Sequence, residues 1–189
     1  MNRGSIHRPA FDFSYSRLIG CFDCRLLADP YDSRRSRDYY AGGEGECRGE
    51  LELQIAELGI GDRVFLPGHT DEPLRVLQNA DCFVLPSVSH ESCPAVLAQA
   101  MACGLPLVTS DFGPLAEINR NEKTGIIAPM RDVDGLCDAI RRIIRDEDFR
   151  SMAGQNGYAF AHNHLSIASM VHKTELLYDS IWNKAGGTK

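Results

Sequence analysis

Residues 85–118 read LPSVSHESCPAVLAQAMACGLPLVTSDFGPLAEI, and this stretch decides the fold. An apolar run ends at Pro86-Ser87, and a polar loop carries Glu91 toward a helix that opens at Cys93-Pro94 and closes at Gly104. A second apolar run, Leu105 to Thr109, leads into another Gly-Pro turn. Strand, polar loop and helix N-terminus in that order are how an α/β protein presents an anionic ligand. The first four N–H groups of a helix have no internal acceptor, and the macrodipole adds roughly half a positive charge there. Proline suits the first helical position because its missing N–H would have found no partner.

The same alternation runs outward in both directions. Upstream, Tyr39-Tyr40-Ala41 leads to Gly42-Gly43-Glu44-Gly45, and a helix from about Cys47 to Leu58 is stopped by Gly59. Arg63 to Leu66 reads as a strand closed by Pro67-Gly68, and Asp71 is placed to cap a helix through Leu74, Val76 and Leu77 to Ala80. Asp81 to Leu85 is a nearly continuous apolar strand of the kind buried on both faces. Downstream come a short helix at Leu115–Asn119 and a strand at Ile126–Ala128. A helix capped by Asp132 follows, then one from Phe149 to Ala161, then an amphipathic one that Ser166 is placed to cap. Met170, Leu177 and Trp182 on that last helix form an apolar face fit for association. Strands alternating with helices on short connections specify a doubly wound parallel sheet, whose ligands lie beyond the strands' carboxyl ends. Residues 1–38 are irregular and read as a degenerate or truncated segment; residues 39–185 form the expected domain.

Composition narrows the function. In 189 residues, 43% apolar and 24% charged content is globular, and a net charge of −6 argues against nucleic acid as a partner. No apolar run reaches the ~20 residues of a membrane-crossing helix. Among seven cysteines, Cys82, Cys103 and Cys137 stand in apolar contexts and read as buried thiols, which points to a reducing cytoplasm, with a peripheral membrane position left open. Cys21 and Cys24 make a single CxxC without a second pair at zinc spacing. His162 and His164 lack a third ligand nearby, so neither metal nor cofactor is expected.

From Ala41 to Trp182 the chain resembles the C-terminal, donor-binding half of retaining GT-B glycosyltransferases of the group one family. Five pieces carry the resemblance in order: AGGEGECRGELE, DRVFLPGH, ESCPAVLAQAMACGLPLV, DFGPLAEI and TGIIAP. It implies a Rossmann-like sheet and metal-free transfer of a sugar, with retention, from a nucleoside-diphosphate sugar to an acceptor hydroxyl. It also implies roles. Glu91 approaches the transferred sugar. Ser92 and the amides of Cys93, Ala95 and Val96 face the diphosphate. Gly68 and His69 lie at the base, Gly43 and Gly45 permit close approach, and Arg17 meets the leaving diphosphate.

Two departures stand out. The acid expected eight positions after Glu91 is Gln99, which can hydrogen-bond ribose but without charge assistance. The family's lysine near Arg17 has no counterpart, since the first lysine of the chain is Lys123. The resemblance further implies that an acceptor-binding N-terminal half is missing and that this portion alone does not turn over. Other readings remain: a non-catalytic nucleotide-sugar-binding partner subunit, half of a nucleotide-sugar epimerase, or a flavodoxin-like signalling domain. At single residues, Glu91 could serve only the helix dipole, His90 is expected to be a solvated loop histidine, and Glu117 either supports the donor loop or simply faces water.

Overall fold

Parallel strands flanked by helices on two faces make up the structure, a computed structural model that describes residues 39–42, 45, 47–88, 92 and 94–184. Strand β1 (Tyr39–Gly42) pairs in parallel with β2 (Val64–Gly68), Tyr39 opposite Val64 and Gly42 opposite Gly68. Between them runs α1 (Arg48–Leu58), which ends at Gly59 in the left-handed conformation (φ 64°), a conformation glycine reaches without steric cost. A second parallel group has the order β3 (Phe83–Leu85), β4 (Leu107–Ser110), β5 (Gly125–Ala128). Helices α2 (Pro73–Leu77), α3 (Ala95–Ala102) and α4 (Gly113–Ile118) make the crossovers. The chain continues through α5 (Val133–Arg145), α6 (Glu147–Phe160), a π-helical turn (Ala161–Leu165) and α7 (Ile167–Lys184).

Two apolar clusters explain why β3 and β4 are buried along their whole length. Side chains alternate across a strand. Val84 and Val108 therefore join one cluster, with Ile55 of α1, Leu136, Ala139 and Ile143 of α5, and Phe149 and Ala153 of α6. Phe83, Leu85 and Leu107 join the other, with Leu77 of α2, Leu97, Ala100 and Met101 of α3, and Leu115 of α4. Helices thus cover both faces, the arrangement that parallel sheets require. The first cluster also takes in Val64 of β2, so both strand groups share it. Among the described residues the ladders form two groups, and β1 does not pair with β3.

Local chemistry departs from expectation at several ends. Asp71 is not the cap of α2: Glu72 occupies that position without a side-chain capping bond, its carboxylate pairing with Arg75 instead (3.0 Å), and its own N–H donates to the Thr70 hydroxyl. Pro73 starts the helix, which leaves no room for a cap at Asp71, and α2 stops at Leu77 instead of Ala80. Pro94 is the extended N-cap residue of α3 (φ −69°, ψ 102°), one position before the helix begins. Asp132 and Ser166 do cap, accepting from Gly135 N–H and Ser169 N–H. Asp146 caps α6, which begins at Glu147, two residues before the expected start. Gly154 lies where a Cβ would collide with the Gly104 carbonyl, so glycine here admits α6 against the end of α3. Of the three cysteines expected to be buried, Cys137 is; Cys82 and Cys103 keep part of their surface exposed. No described helix is long and apolar enough to cross a membrane. Helix α7 contains no buried residue.

A polar knot locks β4 to β5 and to the end of α4. Asn119, fully buried, donates through Nδ2 to the Thr109 hydroxyl (2.9 Å) and the Ile126 carbonyl (3.1 Å), while the Thr124 hydroxyl donates to its Oδ1 (3.0 Å). Buried polar groups that lose their partners keep the whole desolvation cost. Replacing Asn119 with alanine is therefore expected to lower stability by about 2–4 kcal/mol, read as a lower urea midpoint at unchanged slope. A shift under about 0.5 kcal/mol would show that the knot carries no weight. Cys82 supplies a pH signature. Its thiol packs on the first cluster, and burial, helped by the neighbouring Asp81 charge and opposed by Arg150, pushes it up to about 12 from an ordinary 9.0. Because the folded state holds that proton longer, this contribution is complete below pH 9 and is lost as pH rises toward about 12. Cys82→Ala should flatten the alkaline decline of stability relative to wild type; parallel profiles would contradict the buried thiol.

Candidate functional site

At the carboxyl end of the β1–β2 pair, two glycines stand opposite each other. Gly68 is buried with φ 83°, a backbone conformation that disfavours any side chain, and it faces Gly42 across a register shift after Tyr40. Arg48, at the start of α1, donates from Nη2 to the Leu66 carbonyl (2.9 Å) and also pairs with Glu52 (2.9 Å). The glycine-loop helix and the end of β2 are thereby tied. Gly45 is exposed, accepts from the Arg48 N–H (3.1 Å), and has open space where a Cβ would stand. His69 is exposed, its Nε2 lying 3.5 Å from Asp71, a charge pair only when the ring is protonated. The ring thus lies beside an acid on the exposed surface, while the Gly68 backbone before it is buried.

Beyond β3 the chain passes Pro86, buried Ser87 and half-buried Val88, and returns at exposed Ser92 and buried Pro94. Helix α3 then begins with exposed Ala95, while Val96 and Leu97 turn into the core. Leu97 N–H is taken by the Pro94 carbonyl (3.0 Å). Ala95 and Val96 precede it, in the part of a helix whose amides have no intrahelical acceptor. Gln99 is half-buried and four residues after Ala95, so the two share a helix face, opposite the buried Ala100 and Met101. A glutamine there can accept through its carbonyl and donate through its amide. Arg17, Gly43, His90, Glu91 and Cys93, all named from the sequence, lie outside the described residues, as do Cys21 and Cys24.

The end of β4 holds groups that sequence reasoning missed. Ser110, buried, donates its hydroxyl to the Ser87 carbonyl. Asp111 donates its N–H to the Ala128 carbonyl (2.9 Å) and accepts the Met130 N–H through Oδ1 (2.7 Å). The signal available was a Thr-Ser-Asp end to an apolar strand, three hydrogen-bonding side chains where the ladder stops. Glu117 is exposed on α4. Among the described residues no group of three His, Cys, Asp or Glu is arranged to hold a metal ion.

Comparison with known proteins bears on this geometry. The family model for glycosyl transferases group 1 matches residues 36–160. The amylovoran biosynthesis glycosyltransferase AmsK of Erwinia amylovora is 30% identical over 159 residues, covering 77% of this chain and 38% of its own length. The lipopolysaccharide core biosynthesis mannosyltransferase LpsB of Rhizobium meliloti is 30% identical over 180 residues, 93% of this chain and 49% of its own. This chain spans less than half the length of either relative. Sucrose-phosphate synthase from Thermosynechococcus elongatus superposes with a TM-score of 0.66 at 27% identity, over 76% of this chain and 38% of that one. Anabaena HepE, crystallised in complex with UDP, gives 0.76 at 21% identity, over 89% and 48%; that likeness concerns the fold. With its parallel α/β architecture of GT-B type and a family match across most of its described length, the chain belongs to the group 1 glycosyl transferases.

Proposed function

We propose that residues 39–185 form the donor-binding domain of a retaining, metal-independent glycosyltransferase that moves a sugar from a nucleoside-diphosphate sugar to an acceptor hydroxyl. The observation that carries this reading is the turn between β3 and α3. It offers exposed Ser92 and the unshared amides of Ala95 and Val96 at a helix N-terminus, with Gln99 on the same helix face one turn further. In this reading the two strand-end rims form one crevice. The diphosphate sits on the Cys93, Ala95 and Val96 amides and Ser92, and Gln99 meets the ribose. The base lies along Gly68-His69, with Gly43 and Gly45 beside it. Glu91 orients the sugar at the reacting carbon, and Arg17 stabilises the leaving diphosphate, a task for fixed positive charge.

An acceptor needs a second wall to this crevice. We assign it to a polypeptide equivalent to the remaining length of the relatives, in this chain's own continuation or a separate subunit. Helix α7 would meet it: Ile167, Met170, Val171, Leu177, Tyr178, Ile181 and Trp182 fall on one helical face and are all exposed. In this reading the donor half alone does not turn over. Four cysteines outside any disulfide among the described residues fit a reducing, cytoplasmic setting. A second reading, a nucleotide-sugar-binding subunit without turnover, is favoured by Gln99 in place of an acid and by the lack of any lysine before Lys123.

Calorimetry with UDP, GDP and ADP is expected to show one preferred nucleotide; UDP is the first choice because HepE was crystallised with UDP and with UDP-glucose. Glu91→Ala should weaken the sugar-bearing donor and spare the bare nucleotide. Gln99→Glu should tighten binding roughly tenfold, the worth of one charge-assisted hydrogen bond. Equal response to all three nucleotides, or none, overturns the donor-site reading.

A further inference from the structure

Strand β2 carries one residue more than β1 can match. From Tyr40 to Gly42 the register advances two positions, while from Phe65 to Gly68 it advances three, so Leu66 and Pro67 together stand opposite Ala41. An extra residue of this kind breaks the ladder locally and bends the strand that carries it. Pro67 has no N–H with which to mend the break. A side chain takes over there: Arg48 Nη2 donates to the Leu66 carbonyl (2.9 Å) from a half-buried position. The arginine is itself held. Its Nε donates to Glu52, one turn further along α1 (2.9 Å), and its backbone N–H donates to the Gly45 carbonyl (3.1 Å). Arg48 therefore stands between Gly45 and the bulge that ends at Gly68, a buried residue with φ 83°.

We propose that Arg48 is a positioning residue that sets nucleotide selectivity: by pinning the bulge of β2 to the start of α1, it fixes the direction in which the Gly68-His69 backbone meets a base. The proposal rests on the donor-site reading above. Arg48 acts through the Leu66 carbonyl, two residues before Gly68, and not by touching the base itself. A backbone edge tells bases apart only while its donors and acceptors keep one direction, because hydrogen bonds weaken steeply off axis. Glycine-rich strand ends specify their register weakly, and a one-residue slip turns such an edge over. The charge of Arg48 is a separate matter. It would favour the diphosphates of UDP, GDP and ADP alike, and so leaves the preference among them untouched.

Calorimetry with UDP, GDP and ADP on three variants tests this, with urea midpoints alongside. Arg48→Met keeps the aliphatic stem and the helix propensity but removes every donor; the preference for the favoured nucleotide over the other two should shrink about fivefold. Arg48→Lys offers one nitrogen where arginine uses two, Nε on Glu52 and Nη2 on Leu66. Discrimination should fall there too, about threefold, and this variant carries the test if the methionine protein does not fold. Glu52→Gln weakens the pair at Nε and leaves the Nη2 bond; it should keep the wild-type preference within about twofold. Affinity lowered equally for all three nucleotides at Arg48, with their ratios intact, overturns the positioning role alone. So does wild-type discrimination in the Arg48 variants, or an equal loss of it in Glu52→Gln. Wild-type protein that binds no nucleotide, or all three alike, overturns the donor-site reading and this proposal with it.

Discussion

A parallel sheet delivers every strand's carboxyl end to the same side, and there the ladder has to stop without abandoning its backbone groups. For two of the described strands the stop is made by proline: Pro86 follows β3 and Pro129 follows β5. Each removes an N–H that could have extended pairing. What remains at the rim is a set of carbonyls and first-turn amides that side chains or ligands must satisfy. The hydroxyl of Ser110, the carboxylate of Asp111 and the guanidinium of Arg48 each take up one such partner. The Ala95 and Val96 amides fall in the first turn of α3, where a helix offers no acceptor of its own, and the proposed function is built on that remainder.

Architecture was legible in the sequence because it depends on patterns short enough to see. Runs such as Phe83-Val84-Leu85 and Leu107-Val108 admit only a strand covered on both faces, and the two clusters on either side of β4 are what that burial requires. Gly59 and Asp132 end and start helices by chemistry confined to one turn. Asp71 misled because two acids precede Pro73 and the proline, fixing its own φ, hands the cap position to Glu72. The reason for Gly154 inside α6 is not local: it is the Gly104 carbonyl, fifty residues away in sequence.

The site was legible in a different way. Gly68 and the start of α3 stand at strand ends, where the pattern placed them. Their chemical roles, and that of Gln99, came from the ordered family pieces and not from periodicity. Ser110, Asp111 and Asn119 escaped notice since their partners are set by register across strands: Ser87 lies 23 residues from Ser110, and Met130 lies 19 from Asp111. Short polar residues at the end of an apolar strand look like the beginning of a loop, and here they bond the backbone of neighbouring strand exits.

Helix α7 makes the converse point about the energetics of the chain. The seven large apolar residues on its one face, from Ile167 to Trp182, lie within the arc that a globular helix normally buries, yet each keeps between 44% and 78% of its surface exposed. Burying such side chains is worth about 1.5–3 kcal/mol apiece relative to exposure. This helix thus presents an apolar face whose burial against another surface would be stabilising. Under the function proposed above, a glycosyl transfer would also call for a second wall, since water must be kept from the activated sugar while an acceptor is admitted. One surface would then meet both requirements, and stability and turnover would depend on the same contact.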